Sequence, residues 1–207
     1  PLFAEAAKHG KVAVDVQCLL RHVEPDKTMA FHDWAEKREY LPCIDYLKTD
    51  AAEAEILTGL TDRAEAAKLL HRWGAKEVLI THNAEVLAYD GEKVYTCPIK
   101  ARNLSGRTGR GDTTFAGYIT ERQRAGVEEA LLYCTALVSL KMETPGPFRQ
   151  ARRDVEDYIA AFYRRLRQWG TVSIQDGCSL MEASPFWQRG MPLIRCDTVT
   201  GTSPWRY

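Results

Sequence analysis

The sequence predicts an α/β fold with three layers, in which helices cover both faces of a mostly parallel sheet. Two short runs of β-branched and aliphatic residues, Val12–Val16 and Val78–Thr81, are typical of buried strands. Stretches with helical spacing separate and follow them, and strands that alternate with helices favour a parallel sheet between two helical layers. The chain has 207 residues, 45% hydrophobic and 27% charged, which is the composition of an ordinary globular protein.

The first half of the chain supplies further elements of this pattern. Asp45–Leu47 is a second, weaker strand candidate, and the residues after it favour a helix over 51–57 that stops at Gly59. Asp62 opens another helix, which Gly74 ends. Each helix therefore follows or precedes a strand, as an α/β fold requires.

The second half predicts a hairpin and three helices. Asp90-Gly91 lies between two strand candidates, Glu85–Tyr89 and Lys93–Thr96, and is a strong turn signal. Apolar spacing then predicts helices from Asp112 to Arg124, from Val127 to about Met142, and through the apolar positions from Val155 to Leu166. These elements complete one core over residues 1–168. Residues 169–207 are rich in Gly, Pro, Ser and Trp without a sustained period, so we treat them as a C-terminal extension of unassigned role.

Composition and spacing exclude several classes of protein. The 28 basic and 28 acidic residues balance, so net charge gives no support for nucleic-acid binding. The six cysteines form no C-x-x-C pair, which argues against a zinc site, and Cys18 and Cys134 are predicted to be reduced core residues of a cytoplasmic protein. No apolar run approaches the roughly 18 residues of a membrane span, so no membrane partner is expected.

A glycine-rich turn is the sharpest candidate for chemistry. Ser105–Thr114 (SGRTGRGDTT) places three glycines before a predicted helix, where backbone amides and the helix dipole favour an anion such as phosphate. Asp112 at this position could deprotonate a hydroxyl. It could equally be the N-cap of the helix. The turn is not a Walker A loop, because Asp112 stands where that motif has its lysine.

This segment resembles the C-terminal signature of the PfkB carbohydrate kinase family, D-T-T-G-A-G-D-T-F-x-A-G, whose members have the ribokinase-like fold. The resemblance implies that Asp112 is the general base and that the amides of Gly109, Arg110, Gly111 and Asp112 form an anion hole for phosphoryl transfer from ATP. The matching residues are Thr108, Gly109, Gly111, Asp112, Thr113, Ala116 and Gly117.

Three of the departures from that signature bear on its chemistry. Gly106 and Arg107 replace its first Asp and the following Thr, so the activation by monovalent cations seen in some relatives is not implied. Arg110 replaces a small residue within the anion hole. Its guanidinium could either stabilise the transition state or point outward into solvent.

A second resemblance lies upstream. Lys48–Gly59 (KTDAAEAEILTG) is similar to the family segment K-P-N-x-x-E-A-E-x-L-T-G, whose Asn and first Glu position magnesium and phosphates. Glu53 matches the Glu, and Asp50 replaces the Asn with another oxygen ligand. The same two residues have the spacing of a capping box, so a purely structural role is the alternative, and both roles could coexist.

Two weaker matches concern the nucleotide. Thr81 ends a predicted strand as in the T-x-G of the family, but Asn83 stands where the glycine falls, so close approach of the backbone to the nucleotide is not implied. With Thr108, these residues are the candidates for nucleotide binding. Lys141–Pro147 corresponds to the family loop near adenine.

The resemblance covers roughly residues 11–165 and implies an ATP- and magnesium-dependent kinase for a hydroxyl of a sugar, nucleoside or related small molecule. The N-terminal part and the lid of the family fold, which carry acceptor selectivity, are absent from this sequence. A noncatalytic nucleotide- or metabolite-binding module of the same fold is the alternative function. Because relatives with a lid often dimerise, a homodimer is also expected.

Overall fold

Residues 2–163 are described by a computed structural model of the chain. The extension assigned to residues 169–207 and the helical position Leu166 lie outside the described residues. The strands are β1 (Ala13–Asp15), β2 (Arg21–Val23), β3 (Met29–Phe31), β4 (Tyr46–Asp50), β5 (Glu77–Thr81), β6 (Glu85–Tyr89) and β7 (Val94–Pro98). The helices are α1 (Leu2–Ala6), α2 (Gln17–Leu20), α3 (Lys37–Tyr40), α4 (Ala51–Thr58), α5 (Arg63–Arg72), α6 (Arg110–Glu121), α7 (Val127–Met142) and α8 (Arg152–Phe162), with a 3₁₀ turn at Leu41–Cys43.

The main sheet has the order β1-β4-β5-β6-β7. β4 pairs in parallel with both β1 and β5, whereas β6 is antiparallel to both β5 and β7. Four of the five strands therefore run in the same direction, and the sheet is mostly parallel as predicted. The carboxyl ends of β1, β4 and β5 meet at one edge of the sheet, which is where ligands bind in open α/β folds.

Each face of the sheet carries its own apolar core. Leu47, Val78 and Ile80 pack with α4 and α5 on one side, while Tyr46 and Leu79 pack with α6, α7 and α8 on the other. Alternate residues of one strand thus enter opposite cores, which is the period-two pattern of a sheet buried on both faces. The three-layer α/β/α fold predicted from the sequence is confirmed.

The sequence missed the short elements between β1 and β4. Residues 17–41 contain helices of four residues and the two-stranded antiparallel sheet of β2 and β3. Elements of three or four residues are too short to show a period. The weak strand candidate at Asp45–Leu47 corresponds to β4, which starts one residue later and continues to Asp50.

The core assignment of Cys18 is wrong. Cys18 lies on α2 and its side chain is exposed, whereas Cys134 on α7 is buried as predicted. Burial raises the pKa of the Cys97 thiol to about 11, so this cysteine is held as the unreactive thiol. No helix within residues 2–163 combines the length and the apolar character that crossing a bilayer would take.

Candidate active site

A polar cleft lies at the sheet edge where β1, β4 and β5 end. Its volume is about 380 Å³. The helices α4 and α6 both begin there, directly after Asp50 and Gly109. The cleft thus brings together eight of the nine predicted site residues, and the ninth, Asn83, contacts its rim. The lining residues are Gln17, Lys48, Asp50, Glu53, Thr81, Arg107, Thr108, Gly109, Arg110, Gly111 and Asp112.

Asp50 and Glu53 form a complete capping box at the start of α4. The Oδ1 atom of Asp50 accepts a hydrogen bond from the Glu53 amide at 2.8 Å, and Glu53 Oε2 accepts one from the Asp50 amide at 2.7 Å. Each carboxylate uses one oxygen in the cap and keeps its second oxygen for another partner. The capping role therefore leaves one oxygen of each carboxylate for the predicted ligand role.

The same pair fits a magnesium ion that is bound together with phosphates. Carboxylate oxygens are hard ligands, and magnesium usually takes only one or two of them along with substrate oxygens. The described residues hold no group of three or more acidic, histidine or cysteine side chains that could bind a metal without such help. Asp50 and Glu53 would hold the ion, and the ion would neutralise charge on the donor phosphates.

Burial distinguishes the two carboxylates. Glu53 is only 3% exposed, and this burial raises the pKa of its carboxyl group above the ordinary value. The Asp50 amide and the charge of Lys48 oppose that shift. The carboxyl group of Glu53 is therefore protonated at a higher pH than an exposed glutamate, unless a cation binds to it.

The glycine turn sets the start of α6 and the position of Asp112. Gly109 has φ of 75°, a left-handed conformation that glycine adopts without strain, and it is the N-cap residue of the helix. The N-cap interpretation of Asp112 is therefore wrong, because the helix begins two residues earlier, at Arg110. Asp112 lies in the first turn, exposed, and its side chain forms no hydrogen bond with any other residue in 2–163.

The first turn of α6 supplies the expected anion site. Helical N–H groups in a first turn have no intrahelical acceptor, and the dipole adds positive potential at the same place. The amides of Gly111 and Asp112 belong to this turn, and both residues line the cleft. These two amides are placed as the predicted anion hole over residues 109–112 requires, whereas the amide of Arg110 donates to the Arg107 carbonyl oxygen at 3.3 Å.

A buried lysine of α7 holds the glycine turn through hydrogen bonds to its backbone carbonyls. Lys141, which is 2% exposed, donates from Nζ to the carbonyl oxygen of Gly106 at 2.5 Å and also to that of Thr108. The Gly106 amide in turn donates to the carbonyl of Met142 at 2.7 Å. The C-terminal end of α7 therefore holds the glycine turn in place. Lys141 belongs to the segment matched to the adenine loop, yet its ammonium group contacts backbone carbonyls of the turn.

Lys48 is one of three cleft residues, with Gln17 and Arg107, that the sequence interpretation did not name as site residues. Its side chain is 4% exposed, and its Nζ atom lies 2.9 Å from Asp15 Oδ2 at the end of β1. A Cβ atom placed on Gly111 would lie 3.1 Å from the same Nζ atom, so the ammonium group sits against the anion hole. Lys48 is the first residue of the segment similar to K-P-N-x-x-E-A-E-x-L-T-G, but no role was drawn from that match.

Arg110 turns toward the cleft, so the alternative in which it points away into solvent is wrong. Its Nη1 atom donates to Asn83 Oδ1 at 2.8 Å, and Arg107 donates from Nη2 to the same oxygen at 3.2 Å. Burial, and then the charge of Arg107, lower the pKa of Arg110 below its usual range. Thr81, by contrast, is buried, and its hydroxyl donates a long hydrogen bond of 3.5 Å to the Thr49 carbonyl.

Comparison with known proteins assigns this arrangement to a family. The profile described as pfkB family carbohydrate kinase matches residues 3–150. The chain belongs to the PfkB family. The resemblance read from residues 48–59 and 105–117 is thereby confirmed, and the ribokinase-like fold agrees with it.

Individual relatives share part of their length with this PfkB chain. A cytidine kinase of Thermococcus kodakarensis is 36% identical over 90 residues, which are 42% of this chain and 32% of that protein. A structure of a pyrophosphate-dependent kinase in the ribokinase family, in complex with a pyrophosphate analog and myo-inositol, is 34% identical with a TM-score of 0.69, covering 75% of this chain and 57% of that one.

A more distant structure agrees in fold. Ribokinase of Arabidopsis thaliana, complexed with ribose and ATP, is 24% identical with a TM-score of 0.61, covering 76% of this chain and 52% of that one. The chain thus spans between about a third and three fifths of the length of the relatives it matches.

Proposed function

We propose that this chain is the catalytic part of a kinase that transfers the terminal phosphoryl group of a polyphosphate donor, ATP or inorganic pyrophosphate, to a hydroxyl group of a sugar, nucleoside or related small molecule. One observation carries the proposal. The free carboxylate of Asp112 shares a cleft with the first-turn amides of α6 and with the ammonium group of Lys48. A base therefore lies beside a site that stabilises negative charge, as phosphoryl transfer requires.

The reaction assigns a separate task to each group. Asp112 takes the proton of the acceptor hydroxyl while its oxygen forms the new bond to phosphorus. The bond from phosphorus to the leaving oxygen of the donor breaks, and the shortened donor keeps that electron pair. The first-turn amides of Gly111 and Asp112, with Lys48 beside them, stabilise the charge on the transferring group.

The donor side of the proposal uses the remaining candidates. Asp50 and Glu53 would hold magnesium, which would neutralise charge on the donor phosphates, and Thr108 lies at the turn proposed to bind those phosphates. Thr81 and Asn83 are proposed to contact a nucleotide. Relatives that are 33% and 34% identical are named as pyrophosphate-dependent, which supports testing both donors.

A noncatalytic binding module is the second candidate function. Asn83, which replaces the family glycine, favours it, while the presence of both Glu53 and Asp112 in one cleft opposes it. The two functions differ in turnover, because only the kinase consumes donor when an acceptor is added. A cytoplasmic location and a homodimer are further proposals of the same family assignment.

The proposal is tested by phosphoryl transfer with the full chain. ATP and pyrophosphate are each supplied with magnesium and a panel of sugars, nucleosides and inositols, and the phosphorylated product is detected by mass spectrometry. We expect one class of acceptor to be phosphorylated. Donor binding without any product across the panel would instead favour the binding module.

The buried carboxyl group of Glu53 predicts how magnesium binding depends on pH. Because the pKa of Glu53 is raised, its proton competes with the cation at a higher pH than the proton of an exposed glutamate does. Titration calorimetry with magnesium and pyrophosphate should therefore show affinity falling on acidification more steeply than the protonation of pyrophosphate alone causes. Glu53→Gln should bind more weakly and keep only the dependence due to pyrophosphate, whereas Asp50→Asn, which installs the family residue, should keep the steeper one. An equal dependence in Glu53→Gln and the unmodified chain would contradict the assignment.

A further inference from the structure

The charges and the lining of the cleft favour one of the two donors. We propose that the donor subsite takes inorganic pyrophosphate, a compact polyphosphate without a base, and that Arg107 and Arg110 select it. This inference rests on the proposed phosphoryl transfer and specifies its donor.

The first argument is a pair of guanidinium groups that form no salt bridge with a carboxylate of the described residues. Arg107 and Arg110 both line the cleft, and within residues 2–163 neither guanidinium forms a salt bridge. They converge instead on a single oxygen of Asn83, which is uncharged and brings two cations together without neutralising them. An anion of high charge density that binds between them would relieve this repulsion, and guanidinium groups suit phosphate because they can donate two parallel hydrogen bonds.

The ammonium group of Lys48 adds a third cation to the donor subsite. Lys48 lies against Gly111, Arg107 precedes Gly109 in the chain and Arg110 follows it, and the three cationic side chains line the same cleft. A diphosphate bound at the turn can therefore contact the first-turn amides, one ammonium group and two guanidinium groups. In ATP the same site would hold only the terminal phosphates, and the rest of the nucleotide would need contacts of its own.

The second argument is that the cleft offers no surface for a base. None of its lining residues is aromatic, and none carries a large apolar side chain. Sites for ligands with aromatic rings are lined mainly by apolar and aromatic groups, with few polar ones. Asn83, which was expected to contact a nucleotide, has its amide oxygen occupied by the two arginines.

The segment 98–102, which leads into the glycine turn, packs against the end of α7 and against α8. Tyr163 donates to the Pro98 carbonyl at 2.9 Å, Tyr158 donates to the Lys100 carbonyl at 2.8 Å, and Arg102 forms an ion pair with Glu143. The hydrogen bonds from Lys141 to the glycine turn hold the next residues of the chain in the same way. A purine ring placed between this segment and the helices would have to break several of them.

A larger cavity of about 490 Å³ does contain aromatic side chains, but it is a separate site. Tyr133 and Phe148 line it between α6 and α7. It shares no lining residue with the cleft. Its two arginines, Arg124 and Arg152, are both paired with Glu121 and are not available to an anion.

Direct binding tests the donor independently of the acceptor. Isothermal titration calorimetry on the full chain, with magnesium, compares pyrophosphate with the nonhydrolysable ATP analogue AMP-PNP. We expect pyrophosphate to bind at least about tenfold more tightly. Arg110→Ala and Arg107→Ala should each weaken pyrophosphate binding by roughly 10- to 100-fold, the effect of losing a charge-assisted contact, and reduce the preference over AMP-PNP.

The control is Arg153→Ala, since Arg153 is an exposed arginine on α8 without an ion pair among the described residues. It should leave both affinities unchanged, and thermal melts should show that all variants are folded. Binding of AMP-PNP as tight as that of pyrophosphate, absence of pyrophosphate binding, or unchanged affinity in both cleft variants would each overturn the inference. Absence of product across the acceptor panel would count against the proposed kinase activity alone.

Discussion

Replacing Asp112 with asparagine should reduce phosphoryl transfer by about 100- to 10,000-fold, the usual contribution of a general base. The amide is similar in size to the carboxylate but cannot accept the proton of the hydroxyl. The anion hole is built from backbone amides and from Lys48, so it is unaffected by the substitution. We therefore expect kcat to fall while the affinity for the donor stays within a few-fold, measured by steady-state kinetics and by calorimetry.

The structure permits a clean interpretation of this variant. Asp112 is exposed and forms no side-chain hydrogen bond within residues 2–163, so the fold loses only its favourable charge near the start of α6, about 0.3–1 kcal/mol. Asp157→Asn is the matched control, because Asp157 is an exposed aspartate on α8 that is remote in sequence from the turn. A variant at 112 that retains the turnover of the unmodified chain would rule out the assigned base.

The site residues that the sequence predicted are those whose roles depend on local geometry. Asp50 and Glu53 are three residues apart at one helix start, and their interaction follows from that spacing alone. Gly109 to Asp112 likewise form one turn and the beginning of one helix. In both cases the chemistry is fixed within a few residues, and alternating strands and helices then determine that the two helix starts meet at the same sheet edge.

The roles that the sequence could not show depend on distant pairings. Lys48 reaches the anion hole because β4 pairs with β1, where Asp15 holds its ammonium group. Arg110 turns inward because Asn83, 27 residues earlier, accepts its hydrogen bond. Neither partner can be chosen from local spacing, because register and loop path decide which side chains meet. The elements of residues 17–41 were not predicted for a different reason, because they are too short to show a period.

The close packing of Gly106 against the backbone after α7 predicts the largest effect of a substitution on the free energy of unfolding. A Cβ atom on Gly106 would lie 2.0 Å from the carbonyl oxygen of Thr144 and 2.6 Å from its carbonyl carbon. Both are backbone atoms at the end of α7, so they cannot move aside as a flexible side chain could. Gly106→Ala must displace either the turn or the helix end, and with it the hydrogen bonds that Lys141 donates to the turn.

We expect this alanine to lower the free energy of unfolding by about 3 kcal/mol or more, at the upper end of the cost of overpacking. Denaturant titration followed by circular dichroism measures the loss. Gly10→Ala is the control, because a Cβ atom there meets no heavy atom within 4 Å. If the Gly106 variant is as stable as this control, the glycine turn does not pack against the end of α7 as described. If it is destabilised but still folded, pyrophosphate affinity should fall as well, because the turn that carries the anion hole depends on the same contacts for its position.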